Sequence, residues 1–145
     1  MFILVGNGEM RGVVEEMIRK YDLENNFIIT GWVNDAEKYI SIMDVGVLTS
    51  QWEGFGLVPA EMMACGKPVV ASRVDGIPYV VEDRIDGFLC NPNDIQAFAD
   101  CILRLLHNND LHKSMSESAH RHAHGKFDLK RVIEQHEKLF DILPE

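Results

Sequence analysis

Residues 45–72 read V-G-V-L-T-S-Q-W-E-G-F-G-L-V-P-A-E-M-M-A-C-G-K-P-V-V-A-S. Val45 to Thr49 is a short apolar run of strand length. Leu57 to Cys65 follows with helix-forming residues and stops at Gly66, a favoured residue just past a helix end, with Pro68 beyond it. Val69, Val70 and Ala71 form a second apolar run. Strand, helix and strand in that order, with apolar residues on successive strand positions, imply parallel strands buried on both faces. The alternation continues outward in both directions. Phe2 to Val5 is a strand ending in the turn Gly6-Asn7-Gly8. Met10, Val13, Val14, Met17, Ile18 and Tyr21 recur at helical spacing, so residues 9–22 are expected as a helix with that face buried. Phe27 to Thr30 is a strand closed by Gly31, residues 35–43 a short helix, Ile77 to Glu82 another, and Gly87 to Cys90 the fifth strand. Beyond Cys90 the signal is helical only. Asp94 reads as an N-cap for Ile95, Phe98, Ala99, Ile102 and Leu105. A polar helix is expected over 109–123, ending near Gly125. A last one starts at Asp128 with Leu129, Val132, Ile133, His136 and Phe140 on one face. The fold class is α/β: a parallel sheet of about five strands, helices on both faces and a helical C-terminal tail. It is expected as one domain over 1–145, with a strand/helix core at about 1–92 and a helical region at about 93–145.

Composition sets the outer limits. The chain has 145 residues, 14 Lys+Arg against 23 Asp+Glu, and a formal net charge of -9. Hydrophobic residues make up 46% and charged residues 26%, which is the balance of an ordinary globular chain. Such a length buries about two-thirds of the unfolded surface. The acidity argues against nucleic acid as a partner, which needs a basic face, and against a polybasic membrane-surface protein. No apolar run reaches the roughly 18–20 residues of a membrane span, and the start lacks the basic n-region of a signal peptide. Cys65, Cys90 and Cys101 are odd in number and widely spaced. They fit a reducing cytoplasm, with all three expected as small core residues.

In a parallel sheet ligands bind beyond the carboxyl ends of the strands. That directs attention to loops 6–8, 31–34, 49–56, 72–76 and 91–94. The loop at 49–56 carries the most chemistry. Gly54 and Gly56 flank Phe55 and allow the backbone to approach a ligand closely. The helix beginning near Leu57 turns its free N–H groups toward the crevice, an arrangement suited to a phosphate or a sugar hydroxyl. Glu53 stands before the helix and Glu61 about one turn inside it. Two roles fit them. In one, Glu53 caps the helix dipole and Glu61 is simply solvated. In the other, both face the crevice and accept hydrogen bonds from a hydroxyl-rich ligand.

Glu53 and Glu61, with seven residues between them, together with E-G-F-G at 53–56 and A-C-G-K-P-V-V-A-S at 64–72, resemble the E-x7-E region of family 4 retaining glycosyltransferases (glycosyl transferases group 1). I-L-V-G-N-G-E at the start, I-T-G-W-V at 29–33, D-V-G-V-L-T-S at 44–50, D-G-I-P at 75–78 and D-G-F-L-C-N-P-N-D at 86–94 extend the resemblance in order along nearly the whole chain. It implies the Rossmann-like C-terminal, donor-binding half of a GT-B fold. It implies transfer of a sugar, of hexosyl type, from a UDP- or GDP-sugar to an acceptor hydroxyl, without a required metal or other cofactor. Glu61 would bind the ribose hydroxyls. Glu53 would contact the donor sugar and stands as the catalytic candidate. Backbone N–H groups of Phe55, Gly56 and Leu57, next to Gly54, would face the sugar and diphosphate. Trp32, Val33 and Lys38 would lie by the nucleobase, and Gly6 and Gly8 would border the same crevice. Asp75 and Tyr79 depart from the family pattern, where Gly and Glu are common.

The resemblance also implies what the chain lacks. The acceptor-binding N-terminal domain, which would take a sugar, lipid or protein acceptor, has no counterpart here. Nor does the strand-loop-helix whose Arg and Lys grip the diphosphate, so the isolated chain is expected to be incomplete for catalysis. From Trp32 to Asp100 four basic residues face eleven acidic ones, which leaves a diphosphate with little cationic support. A membrane association of the full-length enzyme is compatible with this reading. A non-catalytic nucleotide-binding module, a subunit of a split transferase and a nucleotide-sugar epimerase remain as alternatives. Gly6, Gly8 and Gly12 do not complete a dinucleotide fingerprint, because Arg11 stands at the third glycine position and no acidic residue ends the second strand. His120 and His124 are four apart but have no obvious third metal ligand. His136 is expected to be packed, and Trp52 fits either an acceptor-side or a packed loop aromatic.

Overall fold

The computed structural model describes residues 1–140; the last part of the expected helical tail, 141–145, lies outside them. The chain divides into two compact units, Met1–Tyr39 and a second that begins at Ile40. In the first, β1 (Phe2–Val5), α1 (Arg11–Lys20) and β2 (Phe27–Gly31) make a parallel strand-helix-strand unit. Phe2 pairs with Phe27 and Leu4 with Ile29, and the two phenylalanine rings stack at 5.3 Å. Then α2 (Ala36–Ile42) leads into the second unit.

The second unit holds β3 (Gly46–Leu48), α3 (Leu57–Ala64), β4 (Val69–Ser72), α4 (Ile77–Val80) and β5 (Gly87–Cys90). Three helices follow: α5 (Ile95–His107), α6 (Asn109–Phe127) and α7 (Leu129–Phe140). The sheet order is β3-β4-β5, all parallel. Every residue of the central strand β4 is buried. Successive strand residues point to opposite faces, and β4 splits accordingly. Val69 and Ala71 join Met62, Met63, Ile77, Val80, Ala119 and Ala123 in one apolar cluster. Val70 joins Phe88, Phe98, Leu105 and Met115 in another. Helices therefore cover both faces of this sheet, as the uninterrupted apolar run at 69–71 requires. Side-chain caps start the last three helices. Asp94 accepts from the Ala97 N–H at 3.0 Å, Asn108 from that of Leu111 at 3.0 Å, and Asp128 from that of Lys130 at 3.0 Å.

The α/β class, the five strands with parallel pairing within each sheet and the order of the helices match the sequence reading. The strands form two hydrogen-bonded ladders, β1-β2 and β3-β4-β5. Several finer expectations are corrected. The apolar stripe of α1 is not buried: Met10, Val13, Met17 and Tyr21 are exposed, and only Val14 and Ile18 are half-covered. On α7, Leu129, Ile133 and Phe140 are exposed, as is His136, whose Nδ1 lies 2.8 Å from the Val132 carbonyl. Periodicity identifies a helix and its apolar face but does not supply the surface that covers it. α6 runs through Gly125 to Phe127; the burial of Met115, Ala119 and Ala123 outweighs the roughly 1 kcal/mol helix penalty of one glycine. Cys65 is exposed, because it caps α3 instead of sitting on its buried side. Among the described residues no helix is long and apolar enough to cross a membrane.

Candidate functional site

The loop between β3 and α3 is shaped by the turn that follows β4. Gly56 is the N-cap of α3 with φ +96°, a left-handed conformation that glycine adopts without penalty. A side chain there would also stand 2.8 Å from Ile77 Cδ1. Gly76 packs so closely that a Cβ on it would collide with the Gly54 carbonyl oxygen and lie 2.8 Å from Phe55 Cα. The Gly76 N–H donates to the Glu53 carbonyl at 3.2 Å, and the Glu53 N–H donates to Asp75 Oδ2 at 3.1 Å. Further along, the Gln51 amide nitrogen donates to Asn93 Oδ1 at 2.9 Å, and the Phe55 ring meets Phe127 edge-on at 5.7 Å. Glu53 is half-buried, while Gly54, Phe55, Leu57 and Glu61 are exposed.

Ala60 donates its N–H to the Gly56 carbonyl at 3.3 Å, and Pro59 has no N–H to give. The N–H groups of Leu57 and Val58 therefore belong to the open end of α3, where the helix dipole is positive. The second unit thus gathers Glu53, Gly54, Phe55, Gly56, Leu57 and Glu61 in one loop and the start of one helix. Trp52 is 80% exposed and is not a packed loop residue. Tyr79 is also exposed, and its carbonyl accepts from Lys126 Nζ at 2.7 Å.

The first unit holds the remaining residues singled out by sequence. Gly6 donates its N–H to the Gly31 carbonyl at 3.0 Å, and the Gly8 carbonyl accepts from the Arg11 N–H at 3.1 Å. Both glycines line a cavity of about 250 Å³ with Leu4, Asn7, Met10 and Arg11. Trp32 is 83% exposed and Val33 half-buried. Lys38 pairs with Asp35 at 2.6 Å on the surface.

A sequence model of the family "Glycosyl transferases group 1" matches residues 1–122. The chain belongs to this family. It corresponds to the C-terminal domain of such an enzyme, with the α/β architecture of GT-B glycosyltransferases. The N-acetyl-alpha-D-glucosaminyl L-malate synthase of Bacillus anthracis is 31% identical over 142 residues, 97% of this chain and 37% of that protein. The crystal structure of Anabaena Alr3699/HepE in complex with UDP superposes with a TM-score of 0.90 at 30% identity. That match covers 97% of this chain and 40% of the other. The same protein in complex with UDP-glucose gives a TM-score of 0.89 at equal identity and coverage. The chain thus spans about two-fifths of the length of these relatives.

Two features of this group 1 glycosyltransferase domain had no signal in the motif reading. A cavity of about 410 Å³ lies beside β5 and the start of α5, lined by Arg73, Asp83, Arg84, Asp94, Cys101 and Arg104 among others. It includes neither Glu53 nor Glu61. Arg73 is held there by Asp83 at 2.5 Å. The second feature is a titratable cluster formed by Glu82, Asp86 and His122. Asp86 is fully buried. Its Oδ1 accepts the Glu82 N–H at 2.8 Å, and its Oδ2 lies 2.5 Å from His122 Nδ1. Burial pushes the Asp86 carboxyl above its ordinary value of 3.8, opposed by the hydrogen bonds from His122 and the Glu82 amide. Both carboxylate oxygens are thus engaged, Oδ1 within the turn before β5 and Oδ2 in tying that turn to α6. Sequence spacing pointed to His120 and His124, whose rings lie 4.3 Å apart on the exposed side of α6. The histidine with a buried partner is His122, and only a contact 36 residues away distinguishes it.

Proposed function

We propose that the chain binds a nucleoside-diphosphate sugar as the donor domain of a retaining glycosyltransferase of hexosyl type. The observation that supports this reading is the open N-terminal end of α3, which follows β3, with Glu53 in the loop before it and an exposed Glu61 one turn inside the helix. Glu61 accepts the ribose hydroxyls and Glu53 those of the donor sugar. The amides of Phe55, Gly56 and Leu57 face the diphosphate, whose developing negative charge as leaving group the helix end stabilises. The two carboxylates act by orienting the donor, and no metal or other cofactor takes part. Gly6 and Gly8 as a donor-bordering turn, and Trp32, Val33 and Lys38 as neighbours of the nucleobase, rest on the family resemblance. The acceptor, a sugar, lipid or protein, is the task of the N-terminal domain of a full-length enzyme. UDP and UDP-glucose are the first donors to try, because the Anabaena relative is seen with both.

Calorimetric titration with UDP, GDP, ADP and UDP-glucose tests the reading. A charged acceptor on a ligand hydroxyl contributes about 1.5–3 kcal/mol, so Glu61→Ala is expected to weaken UDP by roughly ten- to hundredfold. Glu53→Ala is expected to weaken UDP-glucose and spare UDP. Undiminished UDP binding in Glu61→Ala would remove the ribose role. No binding by any nucleotide would remove the donor role of this chain.

A further inference from the structure

The loop that carries Glu53 is held largely from outside. Gly76 supplies a donor to the Glu53 carbonyl and a surface against Gly54 and Phe55. The residue before it, Asp75, has φ +38°, a region costly for most side chains but tolerated by Asp and Asn. From that conformation its Oδ2 reaches the Glu53 N–H at 3.1 Å. The two contacts clamp both polar groups of one peptide residue, Glu53, to one turn. A glycine at this position would give the same turn without an acceptor.

The geometry points to Asp75 as the positioning residue of the donor-sugar loop, its carboxylate fixing the main chain at Glu53 and hence the stance of the Glu53 side chain. This rests on the reading of Glu53 given above. Asp75 acts through Glu53 and not on the substrate itself.

Three variants of the full chain test the assignment. Asp75→Gly keeps the left-handed turn and deletes the acceptor, so it loosens the loop without straining the backbone. Asp75→Asn keeps a neutral acceptor. Asp75→Ala removes the acceptor and adds strain. Hydrogen exchange of the Glu53 amide, followed by nuclear magnetic resonance, is expected to quicken about tenfold in Asp75→Gly and to stay near wild type in Asp75→Asn. The ratio of UDP-glucose to UDP affinity is expected to fall about three- to tenfold in Asp75→Gly and to be rescued by Asp75→Asn. A merely structural role would leave that ratio unchanged. Wild-type exchange at Glu53 in Asp75→Gly overturns the clamp. Quickened exchange with an unchanged ratio overturns its link to the sugar. If the wild-type chain binds neither nucleotide, the donor reading falls and the sugar-placing role falls with it, while the exchange result still decides whether Asp75 holds the loop.

Discussion

Cys65 and Cys90 differ in accessibility although both were expected in the core. Cys90 is buried at the end of β5, its thiol pushed up to about 12 by burial and by the neighbouring Cys101, whose Sγ lies 3.8 Å away. Cys65 is exposed. The thiolate is the reactive form, so a thiol reagent is expected to modify Cys65 first and Cys90 last, and Cys65→Ser is expected to abolish the fast phase. A fast phase that survives in Cys65→Ser would contradict this. Ser72 offers a second case. Its Oγ is buried with no hydrogen-bond partner among the described residues, and such a group costs about 1–3 kcal/mol. Ser72→Ala is therefore expected to leave stability equal or raise it by about 1 kcal/mol in urea unfolding; a clear loss would mean that the hydroxyl is satisfied. Neither property is written in the local sequence. Cys65 and Ser72 sit in apolar or helical runs that predict burial well, but capping position and partner supply come from the fold.

Among the elements, those whose burial is specified by their own pattern were the most legible. β4 is buried on every residue because Val69, Val70 and Ala71 are apolar on both faces. α5 starts at Asp94 because the side chain caps it. The distant polar contacts that tie elements together were not legible, and that of α6 is the clearest of them. Its His122 joins Asp86, which is buried in the turn before β5. Removing one partner of a buried pair strands the other, so His122→Ala is expected to cost about 3 kcal/mol in chemical unfolding. The pH dependence follows from Asp86. Burial holds its folded value above the ordinary 3.8, so the folded state binds this proton more tightly than the unfolded one. That contribution is complete below the ordinary value and is lost as pH rises through the folded value. Asp86→Asn cannot ionise, so its stability relative to wild type is expected to climb over that window. A relative fall over the same window would show that pairing, not burial, dominates the carboxylate.

At the scale of the whole molecule, the motif loop was legible as a set of residues and its mould was not. Glu53, Gly54, Phe55, Gly56, Leu57 and Glu61 are contiguous or one helical turn apart, so spacing alone brings them together. Asp75 comes from 22 residues away with Gly76 next to it, and their apposition to the loop depends on the β3-α3-β4 crossover. The balance of burial between the two units was not legible either. Among residues 1–39 only Gly31 is buried. Phe2, Met10, Met17 and Tyr21 are each at least half exposed. The unit that begins at Ile40 holds all the fully buried apolar side chains among the described residues, including Met63, Val69, Val70, Ile77 and Leu105. Local opening free energy follows buried apolar contact, and each buried large side chain contributes about 1.5–3 kcal/mol. Even one such side chain fewer in the opening unit changes its population by roughly tenfold or more. The amides of β1, α1 and β2 are therefore expected to exchange at least about a hundredfold faster than those of β4 and β5, although all five elements are hydrogen-bonded. Equal protection across the two sets would show that the first unit opens only with the second, and that its exposed stripe costs the chain no local stability.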